Sequence, residues 1–423
     1  MDDPAFAVEV DDTTQLILLH ASNHDLPALK PLLRIPGNAS VQDPETGYTP
    51  LHAAIAACGP VTSSTVPITA NGTETEHGAA GEEDEVDIEK AKATVQELFM
   101  SGAIWNDLDT SGETPGCLAW RLGRKELYQL CVEAGVRAEM LLGLMGGYEA
   151  LESDEEGDEE VEVEVEAQEE EAALEIINGD AKMEEQKKDV NSEDYLKSEL
   201  KFEDDKLLDA DDNGVMMAWE TDIMRRSVDL LLPDLKPGAR ILNIGFGMGI
   251  IDRMLRETKP LSHHIIEAHP AVINKLSSPE SEFGGSWQAS APEGGKYVIH
   301  EGKWQDIVPT LLESGEVFDA IYFDTFGEDY SQLKLFFSEY VVGLMDPEGR
   351  FGFFNGLGAD RRVCYDVYGK VVELDLCDAG MDVDWTDIEV GKLGEDGEGE
   401  WKGVRRRYWT LDNYRLPVCT FLG

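Results

Sequence analysis

The chain has 423 residues, 42% of them hydrophobic, which is enough for more than one independent core. At roughly 100–200 residues per domain, two or three domains are expected. Asp and Glu number 86 against 35 Lys and Arg, so the formal net charge is −51. Because this charge repels phosphate backbones and anionic lipid, it disfavours nucleic acid and membrane surfaces as partners and favours a basic protein or a cationic substrate.

The six cysteines are scattered, and none forms a CxxC pair or stands at a zinc-ligand spacing from histidine. They are typical of reduced thiols in an intracellular protein, so we predict neither a metal site nor a disulfide framework. The N-terminal residues MDDPAFAVEVDD are acidic and lack the apolar run of a secretory signal, and no segment resembles a membrane span. These features predict a soluble protein of the cytoplasm and nucleus.

Residues 1–150 contain a degenerate repeat. One copy, DPETGYTPLHAA, begins at Asp43, and a second, DTSGETPGCLA, begins at Asp109. In each copy a glycine permits the positive φ of a turn, and a Thr-Pro pair opens a helix. The pattern is similar to ankyrin repeats and predicts an all-α ankyrin-like module that contacts proteins. His52 is assigned to the hydrogen-bonded turn of this repeat, not to catalysis.

Two polar segments interrupt the first half of the chain. Residues 60–88 are rich in Thr, Gly and Glu and have no apolar face, which favours a polar insertion between the two helices of one repeat over a further repeat. Residues 152–171 contain 13 acidic residues. They predict an acidic, disordered linker over residues 151–188, and a role in attracting a basic substrate is left open.

Residues 189–423 show the pattern of a doubly wound α/β domain. A short apolar run at residues 239–244 leads into the glycine turn Gly245-Phe246-Gly247-Met248-Gly249, and an amphipathic helix follows. Strand, glycine turn and helix form the nucleotide-binding crossover of such a sheet. The spacing is GxGxG and therefore differs from the GxGxxG fingerprint of dinucleotide-binding folds.

The next predicted strand ends at Glu267, 22 residues after Gly245. A carboxylate at this position can accept hydrogen bonds from both ribose hydroxyls of an adenosine cofactor. No arginine stands nearby for a 2′-phosphate, and no GK[ST] motif follows for a triphosphate. S-adenosylmethionine, which has ribose hydroxyls but no phosphate, therefore fits best.

Further strands are predicted at residues 318–323 and 349–355, and two final strands near residues 385–390 and 406–411 predict an antiparallel hairpin. The first of these ends at Asp324. Because the carboxyl ends of central strands face the ligand crevice, Asp324 is predicted to point toward the substrate. The arginines at 405–407 are expected to pair with acids of the loop at 394–400.

Upstream, Met216, Trp219 and Met224 predict one apolar face of a core helix. Glu220 is embedded in this face. A functional role for its carboxylate is favoured, and a capping or ion-pair role is the alternative.

Five motifs occur in a fixed order: WETxxM at Trp219, GFGM at Gly245, IE at Ile266, GKWQD at Gly302 and YFDT at Tyr322. This order resembles guanidinoacetate N-methyltransferase over roughly residues 195–423. An ankyrin-like module joined to such a domain closely resembles the fungal type IV protein arginine N5-methyltransferases, also called the arginine N-methyltransferase 2 family.

The resemblance implies a doubly wound class I S-adenosylmethionine-dependent methyltransferase domain at residues 189–423, preceded by the ankyrin-like module and the acidic linker. It also implies an activity, the transfer of one methyl group from S-adenosylmethionine to the internal δ nitrogen (N5) of a protein arginine, with ribosomal protein as the substrate class. No metal is implied.

The resemblance carries over Glu220 and Asp324 as a pair of carboxylates that clamp the terminal guanidinium nitrogens, with Glu220 favoured as proton acceptor. For Trp304 a core role is the alternative, and for His269 a turn cap. The implied cofactor-binding residues are Tyr195, Met216, Met224, Gly245, Phe246, Gly247, Met248, Gly249, Ile250, Ile251, Glu267, Ala268, His269, Trp304, Gln305 and Asp324.

Two other functions stay open at this point. One is N-methylation of a small free guanidine, for which the repeat module has no evident use. The other is an ankyrin scaffold whose methyltransferase domain has lost catalysis, although both Glu220 and Asp324 are present. Terminal-nitrogen arginine methyltransferases carry a pair of glutamates on a short loop, and its absence here disfavours methylation of the ω nitrogens.

Overall fold

The computed structural model describes residues 12–61, 80–146, 192–203, 205–233 and 237–423. The acidic linker predicted for residues 151–188 lies outside the described residues, as does most of the predicted polar insertion. Within the ranges described, no helix combines the length and the apolar character needed to cross a membrane.

The described part of the first 150 residues is helical. Thr49 and Thr114 cap two of its helices, since their side chains accept hydrogen bonds from the backbone N–H groups of His52 and Cys117, and a proline occupies the first turn of each helix. The helices are α1 (Asp12–Ser22), α2 (Leu26–Leu32), α3 (Pro50–Ala56), α4 (Ala80–Met100), α5 (Pro115–Arg121) and α6 (Lys125–Gly146).

The turns that precede α3 and α5 contact each other. Thr110 donates to the carbonyl oxygen of Thr46 from both its backbone nitrogen and its hydroxyl, each at 3.0 Å. His52 is buried between the turns: Nδ1 lies 2.9 Å from the Thr49 hydroxyl, and Nε2 lies 2.9 Å from the carbonyl oxygen of Glu113. The structural role predicted for His52 is confirmed, whereas the assignment of these units to ankyrin repeats stays a prediction.

Helix α4 begins at Ala80, within the segment 60–88 predicted as a polar insertion. Residues 80–88 of that segment are therefore helical, and the insertion itself stays a prediction. The helix continues through buried Ala91, Val95 and Leu98, so its C-terminal half packs into the helical core.

The second half of the chain contains two sheets. A small antiparallel sheet has the order β1-β2-β3, and a seven-stranded sheet has the order β6-β5-β4-β7-β8-β10-β9. The strands are β1 (Lys201–Phe202), β2 (Lys206–Leu208), β3 (Gly214–Met217), β4 (Arg240–Ile244), β5 (Ser262–Glu267), β6 (Lys296–Glu301), β7 (Phe318–Phe323), β8 (Met345–Phe353), β9 (Met381–Glu389) and β10 (Asn413–Phe421).

Helices cover both faces of the larger sheet, which is the doubly wound arrangement. They are α7 (Ser192–Lys197), α8 (Thr221–Leu231), α9 (Ile250–Glu257), α10 (Pro270–Leu276), α11 (Gly285–Gln288), α12 (Trp304–Glu313), α13 (Tyr330–Leu335), α14 (Val342–Leu344) and α15 (Arg362–Asp378), with a π-helical turn at Phe336–Val341. Strands β4 to β8 pair in parallel, and β10 runs antiparallel to both β8 and β9.

The strand order reverses between β5, β4 and β7, so the switch point of the sheet lies at β4 and β7. Ligand crevices of open α/β sheets form at the carboxyl ends of the strands at this point. Gly245 follows β4 and Asp324 follows β7, so both lie at this edge. The parallel strands predicted from apolar runs are confirmed.

The predicted C-terminal hairpin is wrong in its second strand. Strand β9 pairs along its whole length with β10, at Asn413–Phe421, while residues 406–411 form a loop. Trp409 and Leu411 are buried in an aromatic cluster beside β10, so packing in this cluster replaces strand pairing. Arg407 forms the expected ion pairs, at 2.7 Å to Glu395 and 2.9 Å to Asp396.

The helix predicted from Met216, Trp219 and Met224 is also wrong in its extent. Met216 lies on β3, which pairs with β2, and Ala218–Glu220 form a 3-10 turn before α8. Strand pairing within the small sheet therefore overrides the helical spacing. The turn places Glu220 ahead of α8 and leaves it buried.

The helical part and the α/β part share one apolar core. Val363, Cys364, Val367 and Val371 of α15 cluster with the buried side chains of the N-terminal helices. At Gly116 and Gly135 a Cβ would lie 2.6 Å from the side chains of Val363 and Val367, so the backbones approach closely. Removal of residues 1–150 would expose this face of α15, so point variants test the helical part better than deletion does.

Candidate active site

The glycine turn after β4 is shaped by close contacts. Gly245 has a φ of +90°, and a Cβ at this residue would overlap the carbonyl oxygen of Asp324. At Gly247, φ is +55° and a Cβ would lie 2.7 Å from Cε of Met216. Since only glycine combines these angles with so little space, the turn brings its backbone against both β7 and β3.

Glu267, at the end of β5, holds this turn. One carboxylate oxygen accepts from the backbone N–H groups of Phe246 at 3.0 Å and Gly247 at 3.3 Å, and the other accepts from His269 at 2.6 Å. Burial raises the pKa of Glu267, and the backbone donors offset part of that shift. A carboxylate has about four acceptor positions, so Glu267 retains capacity for a hydroxyl donor.

A pocket of about 630 Å³ opens beside the turn at the carboxyl ends of β4 and β5; we call it the first pocket. The predicted cofactor residues that line it are Tyr195, Met216, Gly245, Gly247, Glu267, Ala268, Trp304, Gln305 and Asp324. Residues predicted from six separate segments of the sequence thus meet around one cavity.

The other predicted cofactor residues lie behind the pocket wall. Phe246 packs into the core against Phe283 with ring centroids 5.4 Å apart, and the N–H of Met248 donates to the sulfur of Met216 at 3.2 Å. Gly249 is the N-cap of α9. The remaining buried apolar residues support the turn and the strand beneath it; they are Met224, Ile250 and Ile251.

His269 adopts the turn-capping role that was its alternative. Its Nδ1 accepts from the backbone N–H of Ala271 at the start of α10. Its Nε2 lies 3.0 Å from the carbonyl oxygen of Tyr195, and the two rings are 4.7 Å apart. His269 therefore holds α7 over the first pocket without lining it.

Glu328, which the sequence reasoning missed, organises the far end of the first pocket. Its carboxylate accepts from Trp304 Nε1 at 3.1 Å, Gln305 Nε2 at 2.8 Å and the Thr325 hydroxyl at 2.7 Å. Gln305 Nε2 also donates to Gln332 Oε1 at 3.0 Å. The only sequence signal for Glu328 is an acidic residue four positions after Asp324.

These bonds orient the Gln305 amide so that its Oε1 is buried without a protein partner. Buried acceptors in native structures normally have a donor, so this atom indicates a ligand donor in the pocket. The exocyclic amino group of adenine is such a donor. Together with the free acceptor capacity of Glu267, the residues present fit an adenosine-containing ligand.

A second pocket of about 890 Å³ adjoins the first and shares Asp324 and Glu328 with it. Glu220 lines this second pocket and is 4% exposed. Burial and the neighbouring charge of Asp324 raise the pKa of Glu220 to about 8, and burial raises the pKa of Asp324 to about 7. Two carboxylates so placed lower their free energy by binding a cation.

Tyr408 is a second residue missed from the sequence. Its segment was predicted as a strand, but its hydroxyl lies in the second pocket and donates to the Glu220 carboxylate. Tyr408 also packs against Gly214, where a Cβ would lie 2.9 Å from its ring. It therefore fixes the orientation of Glu220 from the C-terminal loop.

We expect Tyr408→Phe to reduce kcat about tenfold while the Kd for S-adenosylmethionine stays unchanged, because the variant loses one hydrogen bond to a charged group. Since this bond favours the ionised form of Glu220, its loss should also move the rise of the pH–rate profile to higher pH. Tyr340→Phe, on a partly buried ring outside both pockets, is the control. Unchanged kcat and pH profile would contradict the positioning role.

Glu267→Ala should weaken binding of S-adenosylmethionine by about 10- to 100-fold, since hydrogen bonds to charged groups contribute about 1.5–3 kcal/mol each. Calorimetric titration of the purified variant measures the Kd directly. Glu301→Ala is the matched control, because Glu301 pairs with Glu267 in the register of β5 and β6 and is exposed. An unaltered Kd in Glu267→Ala would remove this carboxylate from the cofactor site.

Three features define a class I methyltransferase. They are the seven-stranded sheet with an antiparallel β10 inserted between β8 and β9, the glycine turn after β4, and the carboxylate at the end of β5. The family model for guanidinoacetate N-methyltransferase matches residues 186–357.

Three relatives named protein arginine N-methyltransferase 2 match nearly the whole chain. The protein of Gibberella zeae is 58% identical over 94% of this chain and 90% of its own length. The protein of Neurospora crassa is 55% identical over 97% of this chain and 96% of its own length. The protein of Aspergillus fumigatus is 50% identical over 100% of both chains. The chain belongs to the protein arginine N-methyltransferase 2 family.

Proposed function

We propose that this protein transfers one methyl group from S-adenosylmethionine to the internal δ nitrogen of an arginine in a protein substrate, with ribosomal protein as the expected class. The observation that carries the proposal is the position of Glu220 and Asp324, two buried carboxylates in a pocket that adjoins the adenosine-compatible first pocket. The names of the relatives support arginine methylation.

The carboxylate pair suits a guanidinium group. Guanidinium is planar and always charged, and each of its terminal nitrogens can donate to a carboxylate. Because burial disfavours ionisation of Glu220 and Asp324, and the charge of Asp324 adds to this effect at Glu220, a bound cation restores their ionised forms. A clamp on the two terminal nitrogens leaves the internal nitrogen facing the first pocket. Orientation of this kind lowers the activation barrier by up to roughly 7–11 kcal/mol when the reacting groups are well aligned.

S-adenosylmethionine supplies an electrophilic methyl group on a cationic sulfur. The δ nitrogen would form the new bond to the methyl carbon with its lone pair while the carbon–sulfur bond breaks, and that bond's electron pair would stay on the sulfur of the neutral product, S-adenosylhomocysteine. The N–H proton of the δ nitrogen must then leave, so that the methylated guanidinium keeps a single positive charge. Glu220 is the proposed acceptor, because its raised pKa of about 8 lies near working pH and Tyr408 holds its orientation.

We expect kcat/KM for a protein substrate to rise as pH increases through about 7 to 8 and then to level off. Arginine stays cationic over this range, so the rise reports ionisation of Asp324 and Glu220 in the free enzyme. A profile from pH 5.5 to 9.5 at constant ionic strength measures it. A flat profile would contradict the carboxylate clamp.

The raised pKa values of Glu220 and Asp324 also make the stability of the folded protein depend on pH. In the folded protein both pKa values lie above the values near 4 expected for the unfolded chain. The two neutral carboxyls therefore stabilise the fold fully below about pH 4, and this stabilisation is lost as pH rises through 7 to 8. Glu220→Gln should therefore lose less stability than the wild type between pH 5 and 9. Thermal unfolding of the wild type and of Glu220→Gln at several pH values measures this difference.

The function is tested with purified protein, methyl-labelled S-adenosylmethionine and an extract from a fungal strain that lacks the endogenous enzyme. Acid hydrolysis and mass spectrometry then locate the label. We expect δ-N-methylarginine in a protein fraction. Label on ω nitrogens would overturn the proposed position, and label only on small molecules would favour the free-guanidine enzyme. Location in the cytoplasm and nucleus stays a prediction, which a fluorescent fusion tests.

A further inference from the structure

An open cleft of about 990 Å³ lies at the surface where the helical part meets the α/β part; we call it the interdomain cleft. One wall comes from the turn before α5 and from α5 itself, with Glu113 and Trp120. The other wall comes from the start of α15 and the C-terminal loop, with Asp360, Arg362 and Thr410. The established family membership assigns no role to this cleft.

The interdomain cleft and the second pocket are lined by neighbouring residues of the same two segments. Gly356, Leu357 and Tyr408 line the second pocket, and the same two segments reach the cleft a few residues later, at Asp360 and Thr410. The Thr410 hydroxyl donates to the Asp360 carbonyl oxygen at 3.0 Å and so ties the segments together. Leu357 and Asp360 are three positions apart in the chain, so their Cα atoms lie at most about 11 Å apart, the length of about three extended residues.

Trp120 stands out in this cleft because 46% of its surface is exposed. The guanidinium of Arg362 lies 4.6 Å from its ring centroid, and the Tyr128 ring lies 5.1 Å from it. Arg362 is itself held by Asp412 at 2.7 Å. A fixed, accessible tryptophan presents a large contact area at low entropic cost, and this residue type is enriched at the centres of binding sites.

The charges of the cleft favour a polypeptide over a nucleic acid. Its arginines are paired with acids, through Arg121 to Glu113 at 2.7 Å, Arg361 to Asp360 at 3.1 Å and Arg362 to Asp412. No excess of positive charge is therefore available for a phosphate backbone, which such binding requires. An extended peptide can instead combine apolar contact with Trp120 and hydrogen bonds to the polar walls.

We propose that the interdomain cleft binds the substrate polypeptide about three residues from the target arginine, with Trp120 as the principal contact. This inference rests on the proposed function, because it assumes that the arginine occupies the second pocket. The helical part would then have a direct role in recognition of the protein substrate, and its packing on α15 would hold Trp120 beside the second wall of the cleft.

The test uses the full chain and two acceptors: ribosomal proteins from a fungal strain lacking the endogenous enzyme, and the blocked tripeptide acetyl-Gly-Arg-Gly-amide, which is too short to reach the cleft. Trp120→Ala should raise KM for the proteins about tenfold or more, with kcat, the Kd for S-adenosylmethionine and the rate on the tripeptide unchanged. Asp412→Trp adds bulk at an exposed position on the opposite wall and removes the ion pair to Arg362, so it should raise the same KM while Trp120 is kept.

Met100→Ala is the matched control, because Met100 is 85% exposed on the helical part and lines neither the cleft nor the second pocket. Wild-type kinetics in both Trp120→Ala and Asp412→Trp would overturn the inference and leave the proposed function intact. A loss of protein methylation in Leu19→Ala alone would place docking in the separate apolar groove near Leu19 and would also overturn it. No labelling of any protein by the wild type would instead refute the proposed function.

Discussion

Asp324→Asn is expected to lower kcat/KM for the protein substrate by about a thousandfold while the Kd for S-adenosylmethionine changes little. Removal of one partner from a desolvated charge pair costs about 2–5 kcal/mol, and here the unpaired partner is the substrate guanidinium. Asparagine keeps the shape of the side chain, so the wall between the two pockets is preserved. Single-turnover kinetics and calorimetric titration measure the two quantities separately.

Asp306→Asn provides the control for charge, because it removes the same unit of charge from an exposed position on α12. The pH dependence of the residual activity is a second measurement, and it separates a clamping role of Asp324 from a structural one. With Asp324 neutral, the like charge that raises the pKa of Glu220 is gone, so the pH profile of the residual activity should shift to lower pH. Retained turnover would exclude Asp324 from the substrate clamp.

Gly245→Ala is expected to abolish measurable binding of S-adenosylmethionine and to lower the Tm. The new Cβ would overlap the Asp324 carbonyl oxygen at a φ of +90°, so the glycine turn and the end of β7 must separate. Strained backbone of this kind costs about 1–3 kcal/mol before the overlap is counted. Both pockets depend on this contact, so turnover should be lost together with binding.

Gly238→Ala is the control that separates the effect of backbone strain from the effect of steric overlap. Gly238 precedes β4 with a φ of +96°, but nothing lies within 4 Å of a Cβ placed there. This variant should therefore lose some stability and keep its affinity for S-adenosylmethionine. If Gly245→Ala bound S-adenosylmethionine as well as Gly238→Ala does, the contact between the turn and Asp324 would have no part in forming the first pocket.

The features that could be predicted from the sequence are those encoded within a few consecutive residues. An apolar run followed by GFGMG predicts a buried strand and a tight turn because burial and positive φ are local requirements. The ends of β5 and β7 are encoded in the same way, so the sequence alone predicts that Glu267 and Asp324 lie at the crevice.

The errors occurred where long-range packing outweighs local preference. Met216 has helical spacing to Met224, yet pairing of β3 with β2 places it on a strand. Tyr408 belongs to a segment that alternates like a strand, but burial of Trp409 and Leu411 in an aromatic cluster makes it a loop that reaches Glu220. No local pattern marks Glu328, because its role comes from three donors on two different segments.

By itself the sequence determined the parallel strands β4, β5, β7 and β8, the glycine turn and the identity of the carboxylates at the strand ends. Only the tertiary structure decided which of these residues face a cavity, how Tyr408 and Glu328 hold them, and that α15 joins the helical part to the catalytic part in one core. The physical reason is that turns and burial patterns depend on neighbouring residues. The environment of a side chain, and hence its pKa and its partners, depends on segments far apart in the chain.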